Sequence, residues 1–207
     1  MTSWTNRTFQ RKNIDLGLIK IKQGKIAVIP TDTLYGIVGQ ALNKKTVQKI
    51  YRLRKRNPIK PCIVLVSSLA DLAKLSIRIS AKQRAVLKQV WPGPVSVVFP
   101  CKNPQLNYLH RGTYSLAVRL PANYQLRSFL KKTGPLIAPS ANPEGLPPAT
   151  TIPEAERYFK NSVSIYLDAG SMAGKPSTLI AFFGNSIEVL RKGKITIALK
   201  KVLKTRL

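Results

Sequence analysis

The stretch I-A-V-I-P-T-D-T-L-Y-G-I-V-G, residues 26–39, decides how the rest of the chain is read. Ile26 to Ile29 is an apolar run between Gly24 and Pro30. Such a run reads as a buried strand, and Pro30, with no N–H to donate, ends its ladder. Thr31, Asp32, Thr33 and Tyr35 then place three hydroxyls and a carboxyl on one short polar loop. Gly36 and Gly39 let the backbone turn or approach another group closely. A polar loop at the end of a buried strand is where open α/β sheets bind ligands. The same loop also reads as a Thr/Asp turn with capping duties.

Working outward, Ile14, Leu18 and Ile21 have helical spacing and predict a helix over 9–23. A second amphipathic helix runs from Asn43, its N-cap, to Arg54, and Pro58 stops the basic segment after it. Cys62–Val66 reads as a buried strand, Ser68–Leu75 and Ser80–Trp91 as short helices, and W-P-G-P at 91–94 as a rigid turn. Val95–Phe99 and Ser115–Leu120 are strands separated by a loop over Lys102–Thr113. Tyr124–Lys132 is a helix closed by Gly134, and Leu136–Ala138 a brief strand. Thr151 and Glu154 form a capping box for a helix through Phe159. Ile165–Leu167, Thr178–Phe182 and Ile187–Leu190 are strands, and Ile195–Val202 is a basic amphipathic helix. Strands and helices alternate without a strict βαβ rhythm, so a mixed sheet is expected. With no repeat and no long linker, residues 1–207 read as a single domain, with a core over 9–195 and a basic helix or tail over 196–207.

The chain has 207 residues, 44% of them hydrophobic, enough for a substantial core. No apolar run approaches the ~20 residues of a membrane span. Residues 1–13 lack the apolar segment of a secretory signal. Cys62 and Cys101 lie in or beside apolar runs and read as core filler in a reducing cytoplasm. Thirty-five Lys and Arg oppose eight Asp and Glu, a net charge of +27. That surface attracts polyanions such as RNA or nucleotides; a proteome-wide bias toward lysine gives the same composition. The scarcity of acids says more. There is no D-x-D, no H-E-x-x-H and one histidine, His110, in a polar loop where it reads as solvated. A protein-built metal site is therefore not expected.

Hydroxyls, amides and arginines recur instead at strand ends. They are Thr31, Thr33 and Tyr35; Arg54 and Arg56 with Lys60 behind; Ser115 and Arg119, four apart on one strand face; Ser140 and Asn142 with Thr150 downstream; Ser177; and Arg191. Each taken singly also reads as a surface group or a cap. None is a nucleophile beside a base. Together they suit a phosphate and carboxylate cradle, because guanidinium forks bind such anions and hydroxyls fill the remaining acceptors. Arg119 lies inside the apolar strand A-V-R-L-P, where a charge needs a partner, and an anion is expected there.

These residues fall in blocks: P-T-D-T-L-Y-G at 30–36, R-K-R-N-P-I-K-P at 54–61, W-P-G-P at 91–94, L-A-V-R-L-P at 116–121, P-S-A-N at 139–142 with G-L-P-P at 145–148, and P-S-T at 176–178 followed by L-R-K-G at 190–193. In order and content they resemble the YrdC/TsaC family of threonylcarbamoyl-AMP synthases over about residues 10–195. The resemblance implies an α/β fold, a single compact domain in which a twisted mixed sheet flanked by helices surrounds a large basic cavity. It implies a nucleotidyltransferase that joins L-threonine, bicarbonate and ATP into threonylcarbamoyl-AMP and pyrophosphate, for the threonylcarbamoyl modification of adenosine in tRNA. Magnesium would arrive with the ATP. Carried over by position, Thr31, Arg119 and Ser140 would bind threonine. Thr33, Tyr35, Arg54, Arg56, Ser115, Asn142, Thr150, Ser177 and Arg191 would bind ATP or line its cavity, and Arg54, Arg56 and Lys60 would supply charge.

Three positions depart from the pattern. Arg54 stands where the family usually has lysine, Pro58 where a serine is frequent and Asp32 where glutamate is frequent. The chain ends where longer members carry a further domain, so the short, single-domain type is expected. Threonylcarbamoyl-transfer proteins downstream, RNA contact through the basic surface, no membrane and a cytoplasmic location are the partners and setting this implies. The main rival is a non-enzymatic RNA-binding module for tRNA or ribosome maturation, which the charge suits. Against it, aromatics make up only 7%, few for a stacking platform. A sugar-phosphate lyase would want an acidic magnesium cluster, and a carbamoyl-transfer domain would normally sit within a larger chain.

Overall fold

A computed structural model describes residues 11–184, 186–194 and 197–203. In chain order the elements are α1 (Arg11–Lys22), β1 (Ala27–Pro30), β2 (Tyr35–Gln40), α2 (Lys44–Leu53), β3 (Val64–Leu65), α3 (Ala81–Val90), β4 (Val95–Pro100), α4 (Asn107–His110), β5 (Ser115–Arg119), α5 (Tyr124–Thr133), β6 (Leu136–Ile137), α6 (Ile152–Phe159), β7 (Ile165–Tyr166), β8 (Thr178–Phe183), β9 (Ser186–Arg191) and α7 (Ile197–Val202). Residues 9, 10, 195, 196 and 204–207, on which the ends of two expected elements fall, lie outside the described residues.

The strands form one sheet in the order β7-β1-β2-β6-β3-β5-β4-β8-β9. β1–β7, β3–β5 and β4–β8 pair parallel and the other neighbours antiparallel, so the sheet is mixed as its sequence suggested. The apolar run of β1 is buried throughout because both of its faces are covered. Ala27 and Ile29 pack with Leu18 and Ile21 of α1 and with Leu126, Phe129 and Leu130 of α5. Val28 points the other way, into a larger cluster with Val47 and Ile50 of α2, Leu87 of α3, Ala155 of α6 and Leu199 of α7.

The alternation continues across the sheet, but the layers do not. Leu116 and Val118 of β5 and Ile180 of β8 join the larger cluster. Ala117 and Leu179, on the opposite face, are only half-buried. α1 and α5 roof the β1–β2–β6 half of that face. The β5–β4–β8–β9 half has no described helix over it, and the site lies there.

Two expectations are corrected. Thr31–Leu34 is the tight turn that the Thr/Asp reading allowed, but no strand was expected after it, and β2 follows at once with Pro30 opposite Tyr35. Gly36 and Gly39 lie inside β2 because neighbours crowd them. A Cβ on Gly39 would stand 2.3 Å from Thr46 Cγ2. His110 is buried, not solvated; it stacks on Tyr114 with ring centroids 5.3 Å apart, and its Nδ1 accepts from Gly112 N–H at 3.3 Å. Smaller shifts follow from tertiary contacts. Ser68–Leu75 is a 3-10 helix over Leu69–Leu75, and the Lys102–Thr113 loop holds α4. Thr151 caps α6, but Glu154 reaches Thr150 N at 2.7 Å rather than the Thr151 amide. Asn43 caps α2 as expected, accepting from Thr46 N at 3.1 Å, a contact typically contributing about 1 kcal/mol.

Candidate active site

The β1–β2 turn closes around one hydroxyl. Thr31 Oγ1 donates to Leu34 O at 2.6 Å and accepts from Thr33 N and Leu34 N, both at 3.2 Å. Thr33 Oγ1 is 3.1 Å from it. A β-branched hydroxyl residue at the turn start folds the backbone back in this way. Arg119, the last residue of β5, meets this turn. Its Nη1 donates to Thr33 Oγ1 at 3.0 Å, and its Nη2 lies 3.2 Å from Asp32 Oδ1. The anion that a strand-buried arginine demands is thus partly supplied by the chain itself. Burial pulls the Arg119 pKa below the usual arginine range, and Asp32 opposes that pull. Arg119 Nε is buried without a hydrogen-bond partner.

A second wall comes from the end of α2. Arg54 caps the helix, and its Nε donates to Asn142 O at 2.9 Å. Its Nη2 reaches Ser140 Oγ and Asn142 Oδ1, each at 3.4 Å. Nη1 is buried and unpartnered. A lysine could not make this fork, by which the arginine ties the end of α2 to two residues of the loop after β6. Lys55 adopts a left-handed φ of 47°, and Arg54 and Arg56, on either side of it, both reach the cavity. Arg56 is braced by Lys60 O at 3.1 Å and Pro61 O at 3.0 Å.

The third wall is β8–β9. Arg191 Nη2 donates to Ser177 O at 2.9 Å and lies 3.2 Å from Ser177 Oγ, which in turn contacts Ser96 Oγ at 2.9 Å. Burial lowers the Arg191 pKa, and the like charges of Arg119 and Arg56 lower it further. Arg191 therefore feels like charge from both Arg119 and Arg56.

The three walls enclose a cavity of about 680 Å³ lined by Thr31, Thr33, Tyr35, Arg54, Arg56, Arg119, Ser140, Thr150, Ser177 and Arg191, with no carboxylate among its lining residues. Each of the six groups of candidates thus sends at least one residue to the cavity. Not every candidate joins them. Ser115 sits on the same strand face as Arg119 but at the far end of β5, beside Thr113 Oγ1 at 3.2 Å. Lys60 turns outward to Glu144 at 3.3 Å. Asn142 stands behind Arg54, its Nδ2 donating to Pro143 O and Leu146 O. Tyr35 borders the cavity, but its side chain is fully buried in the larger cluster, where its hydroxyl donates to Gly170 O at 2.8 Å and accepts from Ala169 N at 2.8 Å. Burial chiefly pushes its pKa up to about 12.

Some lining residues carried no signal in the sequence. Cys62, read as core filler, is buried yet faces the cavity, and burial raises its pKa. Gly174 lies so close to the turn that a Cβ there would stand 2.0 Å from Thr33 O. Among the described residues no group of three His, Cys, Asp or Glu side chains assembles to hold a metal, and no helix is long and apolar enough to cross a membrane.

A family model, Sua5/YciO/YrdC, described as telomere recombination, matches residues 20–193. A Bacillus subtilis relative called threonylcarbamoyl-AMP synthase is 28% identical over 179 residues, covering 85% of this chain and 52% of its own. A Mycobacterium tuberculosis relative called putative threonylcarbamoyl-AMP synthase is 31% identical over 178 residues, covering 85% of this chain and 82% of its own. Among solved structures, Pyrococcus abyssi Sua5 complexed with L-threonine is similar with a TM-score of 0.84 and 28% identity, over 93% of this chain and 58% of that one. The chain thus spans about half the length of the B. subtilis relative.

Proposed function

The chain belongs to the Sua5/YciO/YrdC family, and from that premise we propose that it is an L-threonylcarbamoyladenylate synthase, a nucleotidyltransferase acting on L-threonine, bicarbonate and ATP. The observation that carries this reading is the convergence of Arg54, Arg56, Arg119 and Arg191 on one cavity that no carboxylate lines. Arg54 and Arg119 are buried and each retains an unpartnered N–H, and Arg191 feels the like charges of Arg119 and Arg56; an anion relieves both conditions. The cavity volume also falls within the range of small-molecule sites.

The proposed chemistry has two steps. The threonine amine attacks the carbon of bicarbonate, water leaves, and a carbamate forms. A carbamate oxygen then attacks the α-phosphorus of ATP, and pyrophosphate departs with the electrons of the broken P–O bond. Neither step needs a protein nucleophile; both need two anions held in line and the growing charge neutralised. Arg119 takes the threonine carboxylate, and Thr33 orients Arg119. Thr31 and Ser140 flank the threonyl and carbamoyl groups. Arg54 Nη1, Arg56, Arg191, Ser177 and Thr150 take the nucleotide, whose phosphates bring their own magnesium. Asn142 holds Arg54, and Tyr35 holds the 168–170 segment. Lys60 and Ser115 act on the substrates only from a distance. The product supplies tRNA threonylcarbamoyladenosine modification through downstream transfer proteins, in the cytoplasm, and the basic surface contacts RNA.

Incubating the protein with ATP, magnesium, bicarbonate and each amino acid in turn tests this. A threonine-dependent adenylate with pyrophosphate release is expected. RNA binding with no adenylate from any amino acid would support the non-enzymatic module instead.

A further inference from the structure

Of the four guanidinium groups at the cavity, one has a carboxylate against it. Arg119 Nη2 lies 3.2 Å from Asp32 Oδ1, and the two side chains are 5% and 9% exposed. Arg54, Arg56 and Arg191 are held by carbonyl, hydroxyl and amide oxygens, with no carboxylate in contact, although the Glu144 charge acts on Arg54 from farther off. Asp32 is not a lining residue of the cavity. Its Oδ2 accepts from Ala122 N at 3.0 Å, just past β5, which fixes the carboxylate on the side of Arg119 away from the ligand space. The two ends of the cavity therefore differ in charge. Beside Arg119 the Asp32 carboxylate offsets the charge in contact, whereas no carboxylate lines the cavity beside Arg54, Arg56 or Arg191. They are near enough to interact, since the Arg119 charge acts on Arg191.

We propose that Asp32 sorts the two ligand classes, keeping polyphosphate out of the Arg119 end so that a zwitterionic amino acid can occupy it. A carboxylate in contact with a guanidinium cancels most of its field at a distance but does not consume all of its donors. Arg119 Nε is left without a hydrogen-bond partner in the protein, a donor that a bound carboxylate would satisfy. A triphosphate, drawn by net charge, goes to the other end. Without Asp32 both ends attract polyanions, and the nucleotide loses its orientation relative to the amine. Asp32 acts through Arg119, so it is a positioning residue, and this inference rests on the reaction proposed above.

The probe is inorganic tripolyphosphate, added to the threonine- and ATP-dependent pyrophosphate assay. In the unsubstituted protein it should raise KM for ATP and leave KM for threonine unchanged. In Asp32→Asn it should compete with threonine, raising that KM about tenfold or more, equivalent to roughly 1.4 kcal/mol. Asp32→Glu, which restores the charge, should restore the original pattern. A lost hydrogen bond alone would weaken threonine binding without creating this competition. An Asp32→Asn KM for threonine that ignores tripolyphosphate overturns the inference. So does displacement of tripolyphosphate by threonine in a calorimetric titration of the unsubstituted protein, a measurement that needs no variant to fold. Failure of the unsubstituted protein to turn over threonine overturns the reaction itself and is recognised separately.

Discussion

Arg54 Nε donates to the carbonyl oxygen of Asn142 at 2.9 Å, joining the end of α2 to the loop after β6 across 88 residues of chain. The contact fixes one wall of the cavity and leaves Nη1 aimed at nothing in the protein. Arg54→Lys keeps the charge and removes the fork. Charged hydrogen bonds of this kind contribute about 1.5–3 kcal/mol, so ATP affinity should fall about tenfold or more, with KM for threonine little changed. Calorimetric titration of ATP into the folded variant measures it. Undiminished affinity would show that the lysine more usual at this position serves equally well here.

Arg119→Ala should abolish threonine-dependent pyrophosphate release, but it also leaves the Asp32 carboxylate buried and alone. Breaking one side of a buried pair typically costs about 3–5 kcal/mol. The double variant Arg119→Ala with Asp32→Asn should recover most of that stability and still lack activity. Thermal unfolding of the single and double variants, run beside the pyrophosphate assay, separates the two effects. Activity in the double variant would remove Arg119 from the threonine site.

Gly174→Ala should be severely destabilising or inactive. The added methyl group would overlap the Thr33 carbonyl, and both partners are backbone, so neither can swing away. The turn that holds Thr31 and Thr33 must shift. Loss of threonine binding together with a lowered unfolding midpoint is the expected result; an unchanged midpoint would mean that the 172–176 segment moves aside freely.

Stability should fall in acid through two glutamates. Glu144 accepts from Asn57 N and Lys60 Nζ, and Glu154 accepts from Thr150 N. The backbone amide in each case holds the carboxyl below the usual glutamate range. The unfolded chain then binds protons more readily than the folded one. The contribution is complete above the unfolded pKa of about 4.3 and is lost as pH falls through the lower folded values. Unfolding midpoints measured from pH 7 to pH 3 should drop across that window, and the Glu144→Gln, Glu154→Gln variant should show a shallower drop.

The sequence made some of this legible and hid the rest for identifiable reasons. Arg119 stood out because a charge inside an apolar strand must be answered, and Asp32, the residue that answers it in the structure, lies 87 positions earlier. β1 was readable because both of its faces are covered. β2 was not, because its two glycines look like a turn, although Gly39 is there to admit Thr46 of α2. His110 lay among polar residues, and it is buried beside Tyr114, on which it stacks, and Asn103 O, 3.3 Å from its Nε2. Ser115 shares a strand face with Arg119, yet the four-residue spacing that puts both on one side also carries Ser115 away from the cavity. Periodicity gives the side and not the distance along it.

The half of the sheet that α1 and α5 leave bare has an evolutionary consequence. The binding space is formed by a missing layer rather than by a hole in the hydrophobic interior. Side chains such as Ala117, Leu179 and Arg191 can therefore be exchanged without rebuilding the packing on the other side, where Leu116, Val118 and Ile180 are locked in place. A scaffold of this design is free to acquire new ligand preferences while its folding free energy stays largely untouched.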